Sequence, residues 1–506
     1  MNKALNRRDF LKLTATLPLG LLPVIPNLGA PAAGKNPKNI LIVVLDALSA
    51  YHLHNQGYPR RTTPNLDALA DRAIVYHNHY SGGNYTTPGT ASLLTGTLSW
   101  NHRAIVFNDT VAESFVTRNL FSLFPDHHRL AYSHNPLVNT QLKQFLADID
   151  EYTERQKLFL DSDKLVDLLF STDEDIASLS WIRSLKKLEG TSYALYFPWI
   201  KETIKKLRIR DLGGDYPRGL PYINVDDYYI MDPGIDHLVQ QVTNAPQPFL
   251  GYYHFLPPHA PYNPSQPFVG AFARDGVHVL DKGRHTFSRK KTLTELDEQN
   301  TFYDEFLLYA DDAFARLFDT LDKNGLLDNT WLILTSDHGE LFERGILGHL
   351  TPMLHQPVIK IPLYLFEPGR RSRLDIYDNT SSVDVLPTLL SLDGRSIPDW
   401  VEGQVLPPYN TDPNLEARQI FALQAKGIGK EDPIVKGTVM LVQGSQKMMY
   451  YFGYRELQDS APLVEHFDLE QDPQELNDLY PSGSSLSLQL LETIRNKLDQ
   501  VNKPYQ

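Results

Sequence analysis

The sequence predicts an α/β fold with a doubly wound, mostly parallel sheet flanked by helices, and a small C-terminal antiparallel sheet plus helix. Three observations lead to this fold class. Continuous apolar runs end at polar residues, as in residues 39–45 before Asp46, which is typical of strands buried on both faces of a parallel sheet. Amphipathic helical patterns alternate with these runs. From about Arg418 the pattern changes to short alternating runs, which indicate antiparallel strands.

The predicted elements follow this plan along the chain. An early helix has Thr63 as its N-cap and Pro64 at its first position. A longer helix at residues 303–321 ends before Asn324 and Gly325, which mark a helix terminus. Another helix is expected to begin near Thr86. Strands are predicted at residues 39–45, 129–133, 249–254, 331–336, 361–366, 420–423, 439–442 and 448–452, and a final helix at 486–498.

Chain length predicts more than one folding unit. The 506 residues exceed the roughly 250–300 that one hydrophobic core usually serves. We expect a large α/β domain at residues 34–410 and a small C-terminal α+β subdomain at residues 411–506. Between about residues 135 and 244 the pattern loosens into charged, aromatic-rich sequence, which is interpreted as a helical insertion near the mouth of the functional site.

Composition narrows the class of partner. Acidic side chains number 61 against 48 basic ones, so the formal charge is −13, which argues against binding of nucleic acid. A hydrophobic fraction of 42% is ordinary for a globular enzyme. Beyond the N-terminal segment no run reaches the ~18 consecutive apolar residues of a membrane span, so none is expected there.

The N-terminal residues are predicted to be a targeting segment. Residues 6–12, N-R-R-D-F-L-K, match the twin-arginine export pattern except at the first place. A modestly apolar run from Leu13 to Leu28 and the small residues 30–32 follow. We therefore expect residues 1–33 to be a twin-arginine signal peptide, and the protein to be periplasmic or extracellular.

Polar side chains follow two of the predicted buried strands. Asp46 comes directly after the first strand, and Asp337 and His338 follow the strand at residues 331–336. In open α/β sheets, ligands bind outside the carboxyl ends of the strands. Oxygen ligands with one imidazole suit a divalent cation such as Mn²⁺, Mg²⁺, Zn²⁺ or Ca²⁺, and Thr86 at a helix N-terminus could bind it as an alkoxide.

The segment at residues 86–96, T-T-P-G-T-A-S-L-L-T-G, resembles the nucleophile segment of sulfatases, which reads C-x-P-S-R-x-S-L-L-T-G. Further matches are S-D-H-G-E at residues 336–340, G-H at 348–349, Y-D-E at 303–305, D-V-L-P-T-L-L at 384–390 and F-D-L-E-Q-D-P at 467–473. Apart from the predicted insertion, nearly the whole mature chain resembles the sulfatase branch of the alkaline phosphatase superfamily. The resemblance implies an alkaline phosphatase-like fold.

The resemblance also implies roles for individual residues. Asp46, Asp337 and His338 match metal ligands, and Thr86 matches the nucleophile. His259, in P-P-H-A-P-Y, matches the histidine that contacts the transferred group, and His349 is expected to play a complementary role in acid–base chemistry. His355, Lys360 and the histidine cluster at positions 52, 54, 77 and 79 follow no ligand spacing and are interpreted as structural or loop residues.

Three departures from the sulfatase pattern favour phosphoryl chemistry. Threonine cannot become formylglycine, because its methyl group would leave a ketone. Ala47 replaces a second aspartate, and Thr90 replaces the arginine of the motif. The leading hypothesis is an exported, metal-dependent hydrolase or transferase of phosphate mono- or diesters, with one divalent cation and a phosphothreonine intermediate at Thr86.

Two alternatives stay open. One is a sulfuric ester hydrolase that works without formylglycine. The other is a non-catalytic protein that binds sulfated or phosphorylated glycans. The expected partner is a small-molecule, glycan-derived or lipid-derived ester, and neither the leaving group nor the oligomeric state follows from the residues.

Overall fold

The computed structural model describes residues 37–159, 210–223, 228–410, 417–457 and 461–505, together with Thr203, Lys206 and Leu207. The predicted signal peptide and much of the predicted insertion lie outside these residues. The strands are β1 (Asn39–Leu45), β2 (Ile74–Tyr80), β3 (His128–Ser133), β4 (Glu151–Tyr152), β5 (Phe249–Phe255), β6 (Thr330–Thr335), β7 (Phe342–Glu343), β8 (Ile346–Leu347), β9 (Leu363–Phe366), β10 (Leu374–Ser381), β11 (Gln419–Gln424), β12 (Gly437–Gln443), β13 (Gln446–Phe452) and β14 (Leu463–Asp468). The α-helices are α1 (Pro64–Leu69), α2 (Thr86–Thr95), α3 (Ser99–His102), α4 (Pro136–Gln144), α5 (Met231–Asn244), α6 (Leu293–Lys323), α7 (Gln356–Ile359), α8 (Val385–Leu392) and α9 (Ser485–Asn502).

Within the part of the chain that the structure describes, the main sheet has eight strands in the order β10-β2-β9-β6-β1-β5-β3-β4. Strand β9 runs antiparallel to both of its neighbours, and the other neighbouring pairs are parallel. Such an order requires crossover connections, which helices supply. The prediction of a mostly parallel sheet flanked by helices is confirmed.

Strand β1 lies at the centre of this sheet and is buried along its whole length. Its alternate residues face two different cores, because successive side chains of a strand point to opposite faces. Leu41 and Val43 pack into the core that contains helix α6, whereas Ile42 and Val44 pack into the core that contains helices α2 and α8. Helices on both faces explain why the strand reads as a continuous apolar run.

The C-terminal residues form a second, antiparallel sheet in the order β11-β12-β13-β14. One face packs on helix α9, with Leu441 against a core that includes Ile494. The opposite face packs on the segment between β6 and β9, with Met440 in the same core as Met353 and Val358. The predicted small sheet with a terminal helix is confirmed, and it supports the segment that follows Asp337.

Some elements were not predicted. Strands β2 and β10 pair in parallel at one edge of the main sheet, although polar residues such as His77 and Asn78 interrupt the apolar pattern of β2. Both ends of the predicted insertion carry elements of the main fold, since β4 pairs with β3 and helix α5 contacts β5. Among the described residues, no helix combines the length and the apolar character that crossing a membrane requires.

Candidate active site

Four strands deliver polar side chains to one edge of the main sheet. Strand β1 lies between β6 and β5, and Val44 is in register with Thr335 on one side and His254 on the other. Asp46 follows β1, and Asp337 follows β6. Asn135 follows β3, the strand beyond β5. Because these strands are parallel, their carboxyl ends meet at the same edge.

Two buried carboxylates and two histidines lie within a few ångströms of one another. The Nε2 atom of His338 is 3.5 Å from Asp46 Oδ1 and 3.5 Å from Asp337 Oδ2. The Nε2 atom of His254 is 3.1 Å from Asp46 Oδ2 and 3.8 Å from Asp337 Oδ2. One potential ligand atom from each of Asp46, His254 and Asp337 falls within a 4.8 Å cluster.

The donor set fits a divalent cation. Asp46 Oδ1 and Asp337 Oδ2 are buried and accept no hydrogen bond from a described residue. Two such carboxylates are costly unless a positive charge compensates them. The Nδ1–H of His338 donates to the carbonyl of Gly339 at 2.8 Å, which leaves Nε2 with a free lone pair. His254, which the sequence analysis missed, has its Nε2 3.1 Å from Asp46 Oδ2 and donates a hydrogen bond to it; this nitrogen would give up its proton in order to bind a cation.

The electrostatics keep Asp46 ionised. Burial by itself raises the pKa of this carboxyl, but the charges of His259, His254 and His338 and the hydrogen bond from His254 outweigh it. The net result is a pKa well below the usual range of an aspartate. An ionised carboxylate is the form that binds a metal.

Thr86 opens helix α2 and faces this cluster. Its Oγ1 is 3.3 Å from Nε2 of His338 and 3.3 Å from Nδ2 of Asn135. The N-cap residue Tyr85 makes no side-chain capping bond. Helix α2 reaches the end of β6 because residue 89 is glycine: a Cβ there would lie 2.2 Å from the carbonyl oxygen of Asp337. The positive end of the helix dipole therefore points at the site where an anionic ester would bind.

Asn135 joins the nucleophile candidate to a carboxylate. Its Nδ2 donates to Asp46 Oδ2 at 2.5 Å and lies 3.3 Å from Thr86 Oγ1. Its Oδ1 accepts the N–H of Leu137 at 2.8 Å and so caps helix α4. The signal was present in the sequence, since an Asn-Pro pair follows an apolar strand, but it was interpreted as the start of an insertion.

His259 and His349 lie beside His338. The ring centroids of His338 and His349 are 4.2 Å apart, and those of His259 and His349 are 5.1 Å apart. The Nδ1–H of His349 donates to Glu340 at 3.0 Å. The Nδ1–H of His259 donates to the carbonyl of Ala260 at 2.7 Å. The Nε2 atoms of His349 and His259 take no part in these two hydrogen bonds.

Glu340 is a buried carboxylate behind His349. It also accepts the hydroxyl of Tyr262 at 3.2 Å. Burial raises the pKa of this carboxyl, but the charge and hydrogen bond of His349 and the charges of His259 and His338 hold it below the usual value. An ionised Glu340 orients His349 through Nδ1, the arrangement that acid–base catalysis requires of a histidine.

The histidines at positions 52, 54, 77 and 79 each bind a separate partner. The partners are Asp304 for His52, Asp67 for His54, Asp375 for His77 and Thr380 for His79. Within the described part of the chain they form no shared metal cluster. This arrangement agrees with their interpretation as structural residues.

The comparisons with known proteins agree on one family. A family model described as sulfatase matches residues 38–394. An arylsulfatase of Clostridium perfringens is 22% identical over 505 residues, covering 92% of this chain and 93% of the relative. The multifunctional alkaline phosphatase superfamily protein PehA of Trinickia caryophylli is 23% identical, covering 87% of this chain and 91% of the relative.

Solved structures show the same fold. The phosphonate monoester hydrolase of Agrobacterium radiobacter matches with a TM-score of 0.66 at 17% identity, covering 92% of this chain and 96% of that chain. A protein solved in complex with its substrate D-glucosamine-2-N,6-O-disulfate matches with a TM-score of 0.63 at 16% identity, covering 93% of this chain and 98% of that chain.

Proposed function

The chain belongs to the sulfatase family, and from this premise we propose that it is a metal-dependent hydrolase or transferase of phosphate esters whose nucleophile is Thr86. One observation carries the proposal. Thr86 is the first residue of helix α2, and its hydroxyl oxygen lies 3.3 Å from Nε2 of His338 and 3.3 Å from Nδ2 of Asn135, in a chain without cysteine. The phosphonate monoester hydrolase and the alkaline phosphatase superfamily protein among the similar proteins support phosphorus chemistry.

The proposed reaction has two displacements. The Oγ1 atom of Thr86 loses its proton to solvent and forms a bond to phosphorus while the bond from phosphorus to the leaving oxygen breaks. The leaving oxygen keeps the electron pair and takes up a proton from the imidazolium of His349. Water or an alcohol then attacks phosphorus and passes a proton to the neutral His349, and the electron pair of the phosphorus–Oγ1 bond returns to Oγ1 of Thr86, which takes up a proton from solvent. A cation held by Asp46, His254, Asp337 and His338 would lower the pKa of the Thr86 hydroxyl and polarise a phosphoryl oxygen.

The surrounding side chains supply protons and donors. Glu340 holds Nδ1 of His349, which leaves Nε2 to protonate the leaving oxygen. In the imidazolium form, His259 donates Nδ1–H to the carbonyl of Ala260 and has Nε2–H available as a donor to a non-bridging oxygen. Asn135 adds a neutral N–H donor between Asp46 and Thr86. Donors placed around the transferred group stabilise the charge that develops on its oxygens.

A sulfuric ester hydrolase without formylglycine is the second candidate. The arylsulfatase and the choline-sulfatase of Rhizobium meliloti among the relatives support it, the latter being 24% identical over 473 residues. A non-catalytic binder of sulfated or phosphorylated glycans is favoured less, because the charged groups and Thr86 form one connected cluster.

The test compares p-nitrophenyl phosphate, a phosphodiester, a phosphonate and a sulfate as substrates of the metal-loaded chain. Thr86→Ala should lower kcat/KM by at least ~1000-fold, as expected for loss of a nucleophile. Thr87→Ala is the matched control, since the Thr87 hydroxyl is buried and binds no described residue. Mass spectrometry should detect a phosphoryl adduct on Thr86 during turnover.

Each outcome assigns the chemistry. Thr86-dependent release from phosphorus esters alone supports the proposal. Thr86-dependent release from the sulfate alone would replace it with the sulfatase candidate, and equal rates in Thr86→Ala and wild type would exclude Thr86 as the nucleophile. Absence of turnover on all four compounds, with thermal stabilisation by one of them, would favour the binder.

Export remains part of the proposal. The twin-arginine pattern at residues 6–12 supports a periplasmic or extracellular location. Replacing Arg7 and Arg8 with lysine should retain the protein in the cytoplasm, as measured by fractionation. Unchanged export of that variant would contradict the twin-arginine route.

A further inference from the structure

A large cavity lies apart from the residues assigned to chemistry. Its volume is about 1120 Å³, and none of the residues proposed above for catalysis or metal binding lines it. Its walls come from residues 50–59 and 277–282, the end of β2, the middle of β10, the segment 356–360 and two loops of the C-terminal sheet. Small-molecule sites typically measure ~300–1000 Å³, so this space is sufficient for several sugar units.

Lys360 lines the cavity and has no counterion. Its side chain is half-buried, and its ammonium group makes no hydrogen bond or ion pair with any described residue. By contrast, Lys282, which also lines the cavity, lies 2.6 Å from Glu343, and the neighbouring Lys447 lies 2.6 Å from Glu475. A half-buried cation without a partner is a place where an anionic group of a ligand gains a charge-assisted hydrogen bond.

The electrostatic surroundings of Lys360 support the same conclusion. Burial, followed by the charge of Lys447, lowers the pKa of Lys360 to about 8. The carboxylates of Asp378 and Glu470 also line the cavity, but neither forms an ion pair with Lys360.

Tyr377 forms an aromatic platform in the wall of the cavity. Its side chain is 67% exposed, yet the ring stacks on His77 at 4.5 Å with an interplanar angle of 8°. His77 is itself held by Asp375 at 2.6 Å, and the side chain of Asn78 donates to the carbonyl of Tyr377 at 2.8 Å. An exposed ring that is already oriented loses little conformational entropy when a ligand stacks on it.

The remaining lining is rich in groups that bind hydroxyls. Amides of Asn78, Asn379 and Gln474 line the cavity together with the carboxylates of Asp378 and Glu470. The Nδ2 atoms of Asn78 and Asn379 already donate to the carbonyls of Tyr377 and Gly444, so these two amides offer Oδ1 as an acceptor, whereas the amide of Gln474 offers both a donor and an acceptor. Together with the carboxylates, these groups match the hydroxyls of a carbohydrate.

We propose that this cavity is a binding site for an acidic oligosaccharide, with a sugar ring stacked on Tyr377 and a carboxylate or sulfate substituent paired with Lys360. The inference goes beyond the proposed function, because binding here requires neither Thr86 nor a metal ion. A uronic acid and a sulfated sugar would supply the same anionic chemistry.

The experiment is calorimetric titration of the full chain carrying Thr86→Ala, so that no probe is turned over. The probes are a chondroitin sulfate hexasaccharide, a galacturonic acid hexamer, cellohexaose and sodium sulfate. We expect at least one acidic hexamer to bind more tightly than cellohexaose and sulfate. Tyr377→Ala and Lys360→Met should each weaken that binding by ~10-fold or more, as removal of a central contact does.

Controls keep the test decisive. Lys323→Met removes an exposed lysine at the end of helix α6, outside the cavity, and should leave binding unchanged. Lys360→Arg keeps the positive charge. If Lys360→Met weakens binding because the charge is lost, Lys360→Arg should bind the acidic hexamer as wild type does. Equal thermal midpoints would show that the variants fold.

Four results would overturn the proposal: no binding of either acidic hexamer, equal binding of cellohexaose, equal binding of sulfate alone, or unchanged binding in both cavity variants. Turnover distinguishes this site from the catalytic one. With Thr86 present, Tyr377→Ala and Lys360→Met should hydrolyse small aryl esters at the wild-type rate. Lack of turnover in the wild type together with intact hexamer binding would count against the Thr86 mechanism alone.

Discussion

At the scale of single residues, Asn135 connects the groups on which the proposed chemistry depends. Its amide donates to Asp46 and lies within reach of Thr86, while its carbonyl oxygen caps helix α4. The three contacts leave the side chain one orientation. We therefore regard Asn135 as a positioning residue for Thr86 that also offers a neutral donor to the transferred group.

Replacing Asn135 with alanine should lower kcat by about 100-fold with little change in KM, as loss of one transition-state donor does. Steady-state kinetics on the best phosphorus ester provides the measurement. Asn139→Ala, on the same helix but outside the site, is the control. Wild-type kcat in Asn135→Ala would remove Asn135 from the mechanism.

A second prediction for a single residue concerns the role of His254 in cation binding. If a divalent cation compensates Asp46 and Asp337, its removal by chelation should lower the thermal midpoint, because a ligand at 100 times its Kd stabilises the folded state by about 2.7 kcal/mol. Adding Mn²⁺, Mg²⁺, Zn²⁺ or Ca²⁺ should restore it. Calorimetric scans of His254→Gln should show a smaller response than those of His349→Gln. Equal responses would exclude His254 as a ligand.

At the scale of elements, the site depends on how closely helix α2 approaches strand β6. Residue 89 has no side chain, and a Cβ there would lie 2.2 Å from the carbonyl oxygen of Asp337. A second close approach occurs at Gly82, where a Cβ would lie 2.4 Å from Ser92 Oγ on the same helix. Backbone packing of this kind sets the distance between Thr86 and His338.

Gly89→Ala should therefore lower the free energy of unfolding by roughly 2 kcal/mol, the usual cost of overpacking a tight site. The gain in helix propensity, at most ~1 kcal/mol, does not offset it. Urea unfolding measures the change. At Gly214 a Cβ meets nothing within 4 Å, so Gly214→Ala should stay within about 0.5 kcal/mol of wild type. Wild-type stability of Gly89→Ala would contradict the close approach.

At the scale of the whole molecule, buried histidines couple folding to pH. Burial lowers the pKa of each of His79, His102 and His134 to about 3. In the unfolded chain, histidine side chains protonate with a pKa near the usual value of 6.5. Between those values the unfolded state binds more protons, so stability falls as the pH drops below about 6.5.

For each of these histidines, the free energy of unfolding should fall by up to ~1.4 kcal/mol for each unit by which the pH drops between about pH 6 and pH 4. Urea unfolding at pH 7, 6 and 5 measures the slope. His102→Gln should reduce the slope, whereas His278→Gln, at a side chain that is 72% exposed, should keep it. An identical slope in His102→Gln and wild type would show that His102 does not carry the effect.

The amino-acid sequence by itself determined the fold class and part of the candidate site. Apolar runs and helical periodicity are local properties, so they are readable along the chain. The runs before Asp46 and Asp337 indicated buried parallel strands, and the motif at residues 86–96 indicated a helix that begins at Thr86; the structure has these elements. The catalytic and metal-binding roles assigned to these residues remain predictions.

Which strands are neighbours, and therefore which side chains meet, depends on packing between segments that are distant along the chain. The order β6-β1-β5-β3 brings Asn135 and His254 to Asp46 and Asp337, although they lie 89 and 208 residues after Asp46 along the chain. Strand order depends on long-range packing that periodicity does not encode, so these two residues escaped the sequence analysis. The cavity containing Lys360 and Tyr377 likewise exists only because distant segments enclose it.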